Sequence, residues 1–405
     1  MMSKKSPQLR FEGFTDDWEQ RKLGDVGKTK SGIGFPDAQQ GGKQGTPFYK
    51  VSDMNNPGNE VVMMNANNYA SDSQLKENKW NPINPQNSGV VFAKVGAAIF
   101  LDRKRIVDTS FLIDNNMMSY LFDSSWNRYF GKTLFEKLRL SRFAQVGALP
   151  SFNGSDVEDI KVMIPEESEQ KMIGDMFEKL DDIIALHQRK LDLLKEQKKG
   201  FLQKMFPKNG EKVPELRFAG FADDWEERKL GDLLKEFSIK STIENEYKVL
   251  SSTNSGMEFR EGRVSGTSNL GYKIIKNGDL VLSPQNLWLG NININNLGKG
   301  LVSPSYKTFE LINIDSSFIN PQLRTQKMLE EYKNSSTQGA SVVRRNLEID
   351  SFYQIKIFVP TISEQEKIGS FFKQLDNTIA LHQRKCEQLK ELKKFMLQNM
   401  FPKKG

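Results

Sequence analysis

Mostly apolar residues recur alternately four and three positions apart in two long segments of the chain. The first series is Ile173, Phe177, Leu180, Ile184, His187, Leu191, Leu194, Lys198, Phe201 and Met205. The second series is Ile368, Phe372, Leu375, Ile379, His382, Cys386, Leu389, Lys393, Met396 and Met400. This spacing puts each series on one face of an α-helix and is typical of a coiled-coil seam. The pattern therefore predicts two long helices, each with one apolar stripe.

The two helical segments are copies of one another. Pro165 to Lys208 and Pro360 to Lys403 match at roughly 27 of their 44 positions, with an offset of 360 minus 165, or 195. A polar cap is predicted at Ser168, and a capping box is predicted to begin at Ser363. From Ser168 to Met205 the helix would be about 57 Å long. Because one small domain cannot bury that length, we expect the helices to pair antiparallel around a pseudo-two-fold axis.

A second segment is also duplicated. Pro7 to Asp25 reads PQLRFEGFTDDWEQRKLGD and Pro214 to Asp232 reads PELRFAGFADDWEERKLGD, an offset of 214 minus 7, or 207. The residues between the duplicated ends have diverged almost completely. A constant frame around two different inserts indicates one task performed on two different targets.

The divergent inserts keep weaker signs of a shared fold. Strands are predicted at Leu112 to Phe122 and at Leu301 to Ile312, each followed by Asp-Ser-Ser and an aromatic residue. These motifs begin at Asp123 and Asp315, and Gly-Ala pairs begin at Gly147 and Gly339, with an offset of 192 in both cases. We expect each insert to form a mixed α/β domain.

The predicted fold class is α+β, with two mixed α/β domains joined by two long helices that form an antiparallel coiled-coil spacer with pseudo-two-fold symmetry. The predicted segments are a first domain at 7–164, a first spacer helix at 165–208, a linker at 209–213, a second domain at 214–359 and a second spacer helix at 360–403.

Charge and composition limit the class of binding partner and the cellular compartment that the chain can be expected to have. The net charge of +7 and a pI near 9.1 suit a polyanionic partner without identifying one. Apolar residues make up 37% of the chain, and neither a bilayer-spanning run nor the apolar core of a signal peptide is present. A single cysteine, Cys386, cannot form an intramolecular disulfide. We expect a soluble, cytoplasmic protein with no membrane contact.

The residue inventory argues against several classes of enzyme. The only histidines, His187 and His382, occupy the same position of the repeated seam, where a buried polar layer can fix helix register. We expect the two side chains to approach each other within about one helical turn, roughly 5.4 Å. No complete P-loop or dinucleotide fingerprint occurs, so we expect this chain itself to bind no cofactor.

Several motifs together resemble one known family. DDWEQRKLGD and DDWEERKLGD open the two inserts, IPEESEQKMIGDMF and VPTISEQEKIGSFF open the two helices, and ALHQRK recurs at Ala185 and Ala380. The chain resembles the specificity subunit of type I restriction-modification enzymes, from about Pro7 to Lys403.

The resemblance implies a division of labour. Two target recognition domains would each recognise one half of a gapped sequence in double-stranded DNA, and the helices would fix the gap. The subunit would be non-catalytic and would join two DNA methyltransferase subunits and two restriction/translocase subunits. S-adenosylmethionine, ATP and Mg²⁺ would be bound by those partners.

Candidate DNA contacts follow from chemistry, because polar side chains recognise base edges and cations bind phosphate oxygens. The candidates are Lys50, Ser52, Asp53, Asn55, Arg103, Lys104, Arg105, Ser251, Ser252, Asn254, Gln285, Asn286, Arg344 and Arg345. The same residue types also form turns and solvated surfaces. We hypothesise that Arg344 and Arg345 bind DNA together. If replacing both with Ala left the DNA affinity of the assembled enzyme and its salt dependence unchanged, the two residues would be excluded as DNA contacts.

Two other functions stay open. A metal-dependent nuclease would use the carboxylates of Asp37 and Glu77 with Lys79, and nicking of DNA by the purified chain would support it. A coiled-coil scaffold joining two protein-binding domains needs only the helices. Failure of the assembled complex to bind DNA would favour the scaffold.

Overall fold

The computed structural model describes residues 6–144, 150–208, 210–260, 268–338 and 345–402. The chain forms two compact units: the first contains residues 1–189 and 383–405, and the second contains residues 190–382. Each unit takes part of both long helices. The segment boundaries predicted from the sequence follow the repeats instead of this division, and they stay a prediction.

Helices and strands alternate irregularly along the described residues. The helices are α1 (Asp72–Glu77), α2 (Arg128–Leu138), α3 (Gly154–Glu158), α4 (Glu167–Lys204), α5 (Leu230–Leu233), α6 (Ser316–Gln322), α7 (Gln326–Asn334), α8 (Ile349–Gln354) and α9 (Ile362–Asn399). The strands before α4 are β1 (Glu19–Lys22), β2 (Gly27–Ser31), β3 (Thr46–Tyr49), β4 (Tyr69–Ala70), β5 (Ser88–Ala93), β6 (Arg105–Val107), β7 (Leu112–Ile113), β8 (Met117–Phe122) and β9 (Lys161–Ile164).

The remaining strands lie between α4 and α9. They are β10 (Glu226–Lys229), β11 (Leu234–Phe237), β12 (Leu250–Ser252), β13 (Met257–Phe259), β14 (Lys273–Ile275), β15 (Leu280–Leu282), β16 (Ile292–Ile294), β17 (Gly300–Val302), β18 (Lys307–Leu311), β19 (Ser336–Gln338), β20 (Arg345–Leu347) and β21 (Lys356–Val359). This mixture of helices and largely antiparallel sheets is the predicted α+β class.

The two predicted long helices are confirmed as α4 and α9, each of 38 residues and therefore about 57 Å long. Every residue of the two apolar series is buried or half-buried, including Cys386. The predicted caps are wrong, because Ser168 and Ser363 lie inside the first turn. In α9 the carbonyl of Thr361 instead accepts hydrogen bonds from the backbone of Glu364 and Gln365, both at 3.0 Å.

Both units contain a four-stranded antiparallel sheet with the same strand order. The order is β2-β8-β5-β6 in the first unit and β11-β18-β15-β16 in the second. We call the duplicated segments at 7–25 and 214–232 the duplicated box. Two-stranded ribbons, β1 with β9 and β10 with β21, join this duplicated box to the strand before each long helix. The prediction that the divergent inserts share a fold is therefore confirmed.

The smaller sheets differ between the units. The first unit adds a three-stranded sheet of order β4-β3-β7 in which β3 and β7 are parallel. The second unit instead adds three separate pairs, β12 with β13, β14 with β17 and β19 with β20. The inserts thus share one sheet and differ in what surrounds it.

Both strands predicted in the inserts are wrong in their extent. A turn at Asp114, whose carbonyl accepts from the amide of Met117 at 3.0 Å, separates β7 from β8. A turn at Ser303, whose carbonyl accepts from the amide of Tyr306 at 3.0 Å, separates β17 from β18. Asp, Asn and Ser favour such turns because their side chains bond to nearby backbone. Because apolar residues lie on both sides of each turn, the sequence pattern predicted one continuous strand in each insert.

The predicted alignment of Asp123 with Asp315 is also wrong. Asp315 caps α6 by accepting from the amides of residues 317 and 318, whereas the residue that caps α2 in the same way is Asn127. The structural offset here is 315 minus 127, or 188, and Asp123 lies in the turn before the cap. The Gly-Ala pairs at Gly147 and Gly339 begin outside the described residues.

Each core is completed by the residues that follow a long helix. In the first unit the ring of Trp18 contacts the rings of Phe130 and Phe401, both at 5.8 Å between centroids. In the second unit the ring of Trp225 contacts those of Phe318 at 5.7 Å and Phe206 at 6.3 Å. These edge-on aromatic contacts add about 0.5 to 1.5 kcal/mol each beyond the burial of their area.

A buried ion pair ties the duplicated box to the start of each long helix. Arg10 donates two hydrogen bonds to Glu169 at 2.7 and 2.8 Å, and Arg217 makes the same two contacts with Glu364. Both carboxylates are fully buried, so each fork of two bonds compensates their loss of water. The two duplicated segments therefore contact each other in both units.

The long helices run antiparallel within each unit, as predicted. In the first unit Asp181 of α4 pairs with Lys393 of α9 at 2.6 Å. In the second unit Lys198 of α4 pairs with Asp376 of α9 at 2.5 Å. These are the same two positions of the repeat, because 181 plus 195 is 376 and 198 plus 195 is 393.

The two histidines of the seam are half-buried. His187 belongs to the first compact unit and His382 to the second. Their predicted approach and the pseudo-two-fold axis concern both units, and they stay predictions.

In the first unit the pair from the seam belongs to a buried quartet of alternating charges. Lys132 contacts Glu136 at 2.8 Å and Asp181 at 2.6 Å, and Lys393 contacts the same two carboxylates at 2.9 and 2.6 Å. Burial alone would raise the pKa of Glu136, but the two ammonium groups outweigh burial and lower it to about 2. Burial would lower the pKa of Lys393, but the two carboxylates outweigh it and raise that pKa.

Asp181→Asn is expected to destabilise the protein by about 3 kcal/mol, because it leaves excess positive charge in a buried quartet. The matched substitution Asp376→Asn breaks an exposed pair and is expected to cost less than about 1 kcal/mol. Urea unfolding followed by tryptophan fluorescence measures both. Equal costs for the two variants would contradict the role assigned to burial.

Candidate DNA interface

Four of the predicted contacts of the first unit lie around one surface turn, Val51–Asn55. The guanidinium of Arg103 donates to the side-chain oxygen of Asn55. Arg105 donates to the backbone carbonyls of Met54, at 3.2 Å, and of Asn59. The structure therefore brings two segments together that are about fifty residues apart in the chain.

Two predicted contacts of this unit face the interior. Asp53 is fully buried and accepts from the backbone amides of Lys50 at 2.7 Å and Asn67 at 3.1 Å. Lys104 is buried and paired with Asp102, and burial lowers the pKa of its ammonium despite that carboxylate. The prediction that Asp53 and Lys104 contact DNA is corrected, because each holds its own loop.

The remaining candidates of this unit reach the surface. Ser52 is exposed, and Lys50 is half-buried with its ammonium bound to Gln40. Arg103 is half-buried, and its contact with Asn55 leaves it at the edge of the turn. Burial is the main cause that lowers the pKa of Arg105, whose fork is occupied by backbone carbonyls.

Three apolar side chains beside these loops were missed by the sequence argument. Phe100 is 63% exposed, Leu101 is 59% exposed and Met64 is 71% exposed. Phe100 and Leu101 end a tight 3-10 turn, Ala97–Leu101, that comes just before Arg103. A run of apolar residues directly before a basic run was the available signal, since such a run is otherwise expected inside the core.

The candidates of the second unit divide between surface and interior. Ser252 is buried, donates to the carbonyl of Val281 at 3.0 Å and accepts from Asn293 at 2.8 Å. Its predicted DNA contact is therefore corrected. Ser251 is half-buried in β12, and Asn254 is exposed in the turn that follows. The carbonyl of Asn254 accepts a hydrogen bond from Arg324.

A second group lies at the hairpin of β19 and β20. The guanidinium of Arg345 donates to the carbonyls of Ser336 at 2.9 Å and Lys333 at 3.3 Å, so it holds the hairpin in place. Its backbone amide donates to the carbonyl of the exposed Gln285 at 3.3 Å. Asn286 is half-buried at the start of the next turn. Arg344 lies outside the described residues, and the hypothesis for the arginine pair stays a prediction.

The second unit also contains a basic cleft of about 850 Å³ between α4, the segment from α6 to α7, and β21. Its described lining includes seven lysine and arginine side chains and one carboxylate, Asp376. Burial lowers the pKa of Arg324 in this cleft, and the charge of Asp376 acts in the opposite direction. The sequence argument missed the cleft, although Lys195 and Lys199 lie one turn apart beside the seam.

The first unit contains an acidic cleft of about 510 Å³ where the duplicated box meets the start of α4. Seven carboxylates and two arginines are among its lining residues. Phosphate groups are repelled by such a surface. This cleft is therefore no candidate for DNA contact.

The nuclease candidate gains little support. A hydrogen bond of 2.9 Å between Gln39 and Asn78 brings the segments of Asp37 and Glu77 together, but Asp37 accepts from Gln40 in its own turn at 2.9 Å. Among the described residues, no group of three or more His, Cys, Asp or Glu side chains is placed to hold a metal ion. Within the same residues, no helix has the length and apolarity required to cross a membrane.

Comparison with known proteins identifies the family. A family model described as the type I restriction modification DNA specificity domain matches twice, at residues 15–196 and 222–391, and so covers more than half of the chain. The chain belongs to this family. The predicted resemblance is confirmed, and the two matches of the model agree with the duplication found in the sequence.

Two curated relatives come from Methanocaldococcus jannaschii. The putative type I restriction enzyme MjaX specificity subunit is 23% identical over 260 residues, which are 60% of this chain and 59% of the relative. The type I restriction enzyme MjaVIII specificity subunit is 23% identical over 317 residues, 73% of each chain. The match to the first thus spans less than two thirds of its length.

A solved structure shares the fold. The S subunit of a type I restriction-modification system from M. genitalium superposes with a TM-score of 0.65, covering 99% of this chain and 100% of that chain at 13% identity. The agreement extends over both units and supports the α+β assignment.

Phe100 and Arg103 are expected to act differently on DNA. Arg103→Ala should weaken binding to any duplex and reduce the slope of log K against log salt by about 0.9, the value for one lost phosphate contact. Phe100→Ala should leave that slope unchanged and lower the preference for the target by about tenfold, because an apolar ring packs on base edges. Titrating labelled duplexes with the assembled complex measures both.

Lys104→Met serves as the control, since its ammonium is buried and its loss should leave the salt slope unchanged. If Phe100→Ala altered neither affinity nor preference, the exposed turn would have no part in recognition.

Proposed function

We propose that this chain is the DNA-recognition subunit of a type I restriction-modification complex. Each of the two domains that contain a divergent insert, here called the variable domains, recognises one half of a bipartite, gapped DNA site. The helices α4 and α9 set the length of the gap. The observation that carries this proposal is the repeated four-stranded sheet in an otherwise different setting. A common sheet presents different outer loops, as expected of two domains that bind different half-sites.

The ion pairs between the duplicated segments also support two domains that differ only outside a common frame. Arg10 with Glu169 and Arg217 with Glu364 are equal in geometry, and both carboxylates are buried. They hold the helices and carry no difference between the units. The units differ in their smaller sheets and in the loops, where base contacts have to be made.

The alternatives have weaker support. A nuclease would need one site and would have no use for a second insert on the same sheet. A scaffold would need the helices but not the contact of Arg103 with Asn55 at a surface turn. Neither accounts for a duplicated frame with different loops.

We further propose that a second apolar stripe on the long helices docks the methyltransferase subunits. In the first unit Leu186 of α4 is 59% exposed and Phe395 of α9 is 56% exposed. Apart from Ile362 in the first turn of α9, the exposed apolar residues on the two helices are Met172, Ile183, Leu186, Leu193, Leu381, Leu392 and Phe395. They lie at two heptad positions outside the seam, and a helix from a partner fits such a stripe.

Replacing both Leu392 and Phe395 with Ser is expected to weaken association with the methyltransferase subunit by at least roughly a hundredfold, because each buried side chain contributes about 1.5 to 3 kcal/mol. Sedimentation or co-purification measures the loss. The control replaces Ile239 and Ile243, which are equally exposed but lie outside the helices. An unchanged association constant would rule out the stripe as the docking surface.

The chemistry of the complex is assigned to its partners. S-adenosylmethionine would be held by two methyltransferase subunits, and ATP with Mg²⁺ by two restriction/translocase subunits. This chain would bind no cofactor itself and would act in the cytoplasm, where the chromosome is. Purified chain that bound S-adenosylmethionine alone would contradict this assignment.

The decisive experiment is to map methylated bases across the genome with this chain present or deleted, in cells carrying the cognate methyltransferase. A gapped two-part motif that is lost on deletion is the expected result. Exchange of residues 25–164 for the corresponding insert of a relative is then expected to change one half of the motif only. Methylation that persists unchanged after deletion would reject the proposed function.

The gap is tested in the same assay. Seven residues inserted into both helices, after His187 and after His382, keep the heptad register and lengthen the helix pair by about 10.5 Å. Since one base pair spans about 3.4 Å, the gap is expected to grow by about three base pairs with both half-sites unchanged. A gap of unchanged length would show that the helices do not set it.

A further inference from the structure

The basic cleft of the second unit has a surplus of positive charge that the protein itself does not neutralise. Of its seven cationic lining residues, Lys198 pairs with Asp376 at 2.5 Å, Lys356 with Glu227 at 2.7 Å and Lys208 with Glu215 at 2.9 Å. No carboxylate among the described residues pairs with Lys195, Lys199 or Lys327. Three ammonium groups therefore remain available to an anionic ligand.

The equivalent place in the first unit is closed by its own charges. Lys393 corresponds to Lys198 in the repeat, and it is held between Glu136 and Asp181 at 2.9 and 2.6 Å. In the second unit Asp376 is the counterpart of Asp181, but its partner Lys198 is part of an open cleft. The same frame is thus self-neutralised in one unit and open to a ligand in the other.

The cleft adjoins a loop that is a candidate for base contacts. Arg324 lines the cleft and donates to the carbonyl of Asn254, in the turn after β12. Lys327 lies over the ring of Phe358, with its ammonium 5.9 Å from the ring centroid. The contact of Arg324 places one cationic group of the cleft beside the loop that would carry base-reading side chains. A duplex bound to that loop would bring its backbone close to the cleft.

We propose that this cleft binds the phosphodiester backbone of the DNA, next to the half-site recognised by the second variable domain. The inference rests on the proposed function. Lys195, Lys199 and Lys327 would neutralise phosphates, and Arg324 would join the cleft to the recognition loop. Because two carboxylates hold Lys393 at the corresponding place in the first unit, the second half-site would receive an additional backbone clamp that carries no sequence information of its own.

The test uses the chain assembled with its methyltransferase subunits and a labelled duplex of unrelated sequence, titrated over a range of salt concentrations. Replacing Lys195, Lys199 and Lys327 together with Ala is expected to reduce the slope of log K against log salt by about 0.9 per lost contact, hence by up to about 2.7. Affinity for target and unrelated duplexes should fall by the same factor. The preference for the target should therefore stay unchanged.

The matched control replaces Lys390 and Lys394, which are the counterparts of Lys195 and Lys199 at the offset of 195. Lys394 pairs with Glu391 at 3.4 Å and Lys390 contacts Gln188 at 3.5 Å. This variant is expected to leave the salt slope unchanged. An equal reduction in both variants would overturn the assignment to the cleft.

Three further outcomes are distinct from one another. An unchanged salt slope in the triple variant, with assembly intact, would overturn the clamp. An unchanged slope with impaired assembly would overturn it in favour of an acidic segment of a protein partner. No DNA binding by the wild-type complex would reject the proposed function and the clamp together, whereas normal wild-type binding with an unchanged slope rejects the clamp alone.

Discussion

The packing of a helix end against a buried tryptophan is the contact on which both units depend. Trp18 meets Phe401 after the end of α9, and Trp225 meets Phe206 after the end of α4. The first core is not complete in one stretch of sequence, since the first unit also takes residues 383–402. The antiparallel course of the helices follows from this requirement. In each core, residues from the start of one long helix pack with the residues that follow the end of the other.

Charge is distributed differently over this common frame. In the first unit Lys132, Glu136, Asp181 and Lys393 neutralise one another in a buried quartet. Substitution of the two residues that α2 contributes would leave the seam pair without this closure, which is the situation of Lys198 and Asp376. Both units therefore keep the ion pair between the helices. The residues that the insert contributes determine whether this ion pair is buried, as in the first unit, or exposed to solvent, as in the second. Substitutions in the insert can therefore change the charge at this place while the pair between α4 and α9 is kept.

The sequence predicted best where many residues repeat a single physical requirement. The seam of α4 and α9 has a residue every three or four positions and most of these residues are apolar, so one local error does not change the prediction. Single polar residues carry no such redundancy, and Asp53 and Lys104 are buried because distant backbone and a neighbouring carboxylate satisfy them. Asp123 was aligned wrongly because the turn before Asn127 differs in length from its counterpart. The basic cleft combines Lys195 with Lys327 and Arg324, which only tertiary structure brings together.

The location of the frame residues explains how the two inserts can diverge without loss of the fold. Arg10 pairs with Glu169, and Trp18 packs against Phe130 and Phe401, so these contacts are made away from the turn at Val51–Asn55. Substitutions in that turn therefore leave the ion pair and the aromatic anchor intact. The cost of changing a recognition loop is confined to local supports such as the carboxylate of Asp53, which holds two backbone amides. Each variable domain can consequently acquire a new preference independently, provided that its local supports change with the exposed side chains.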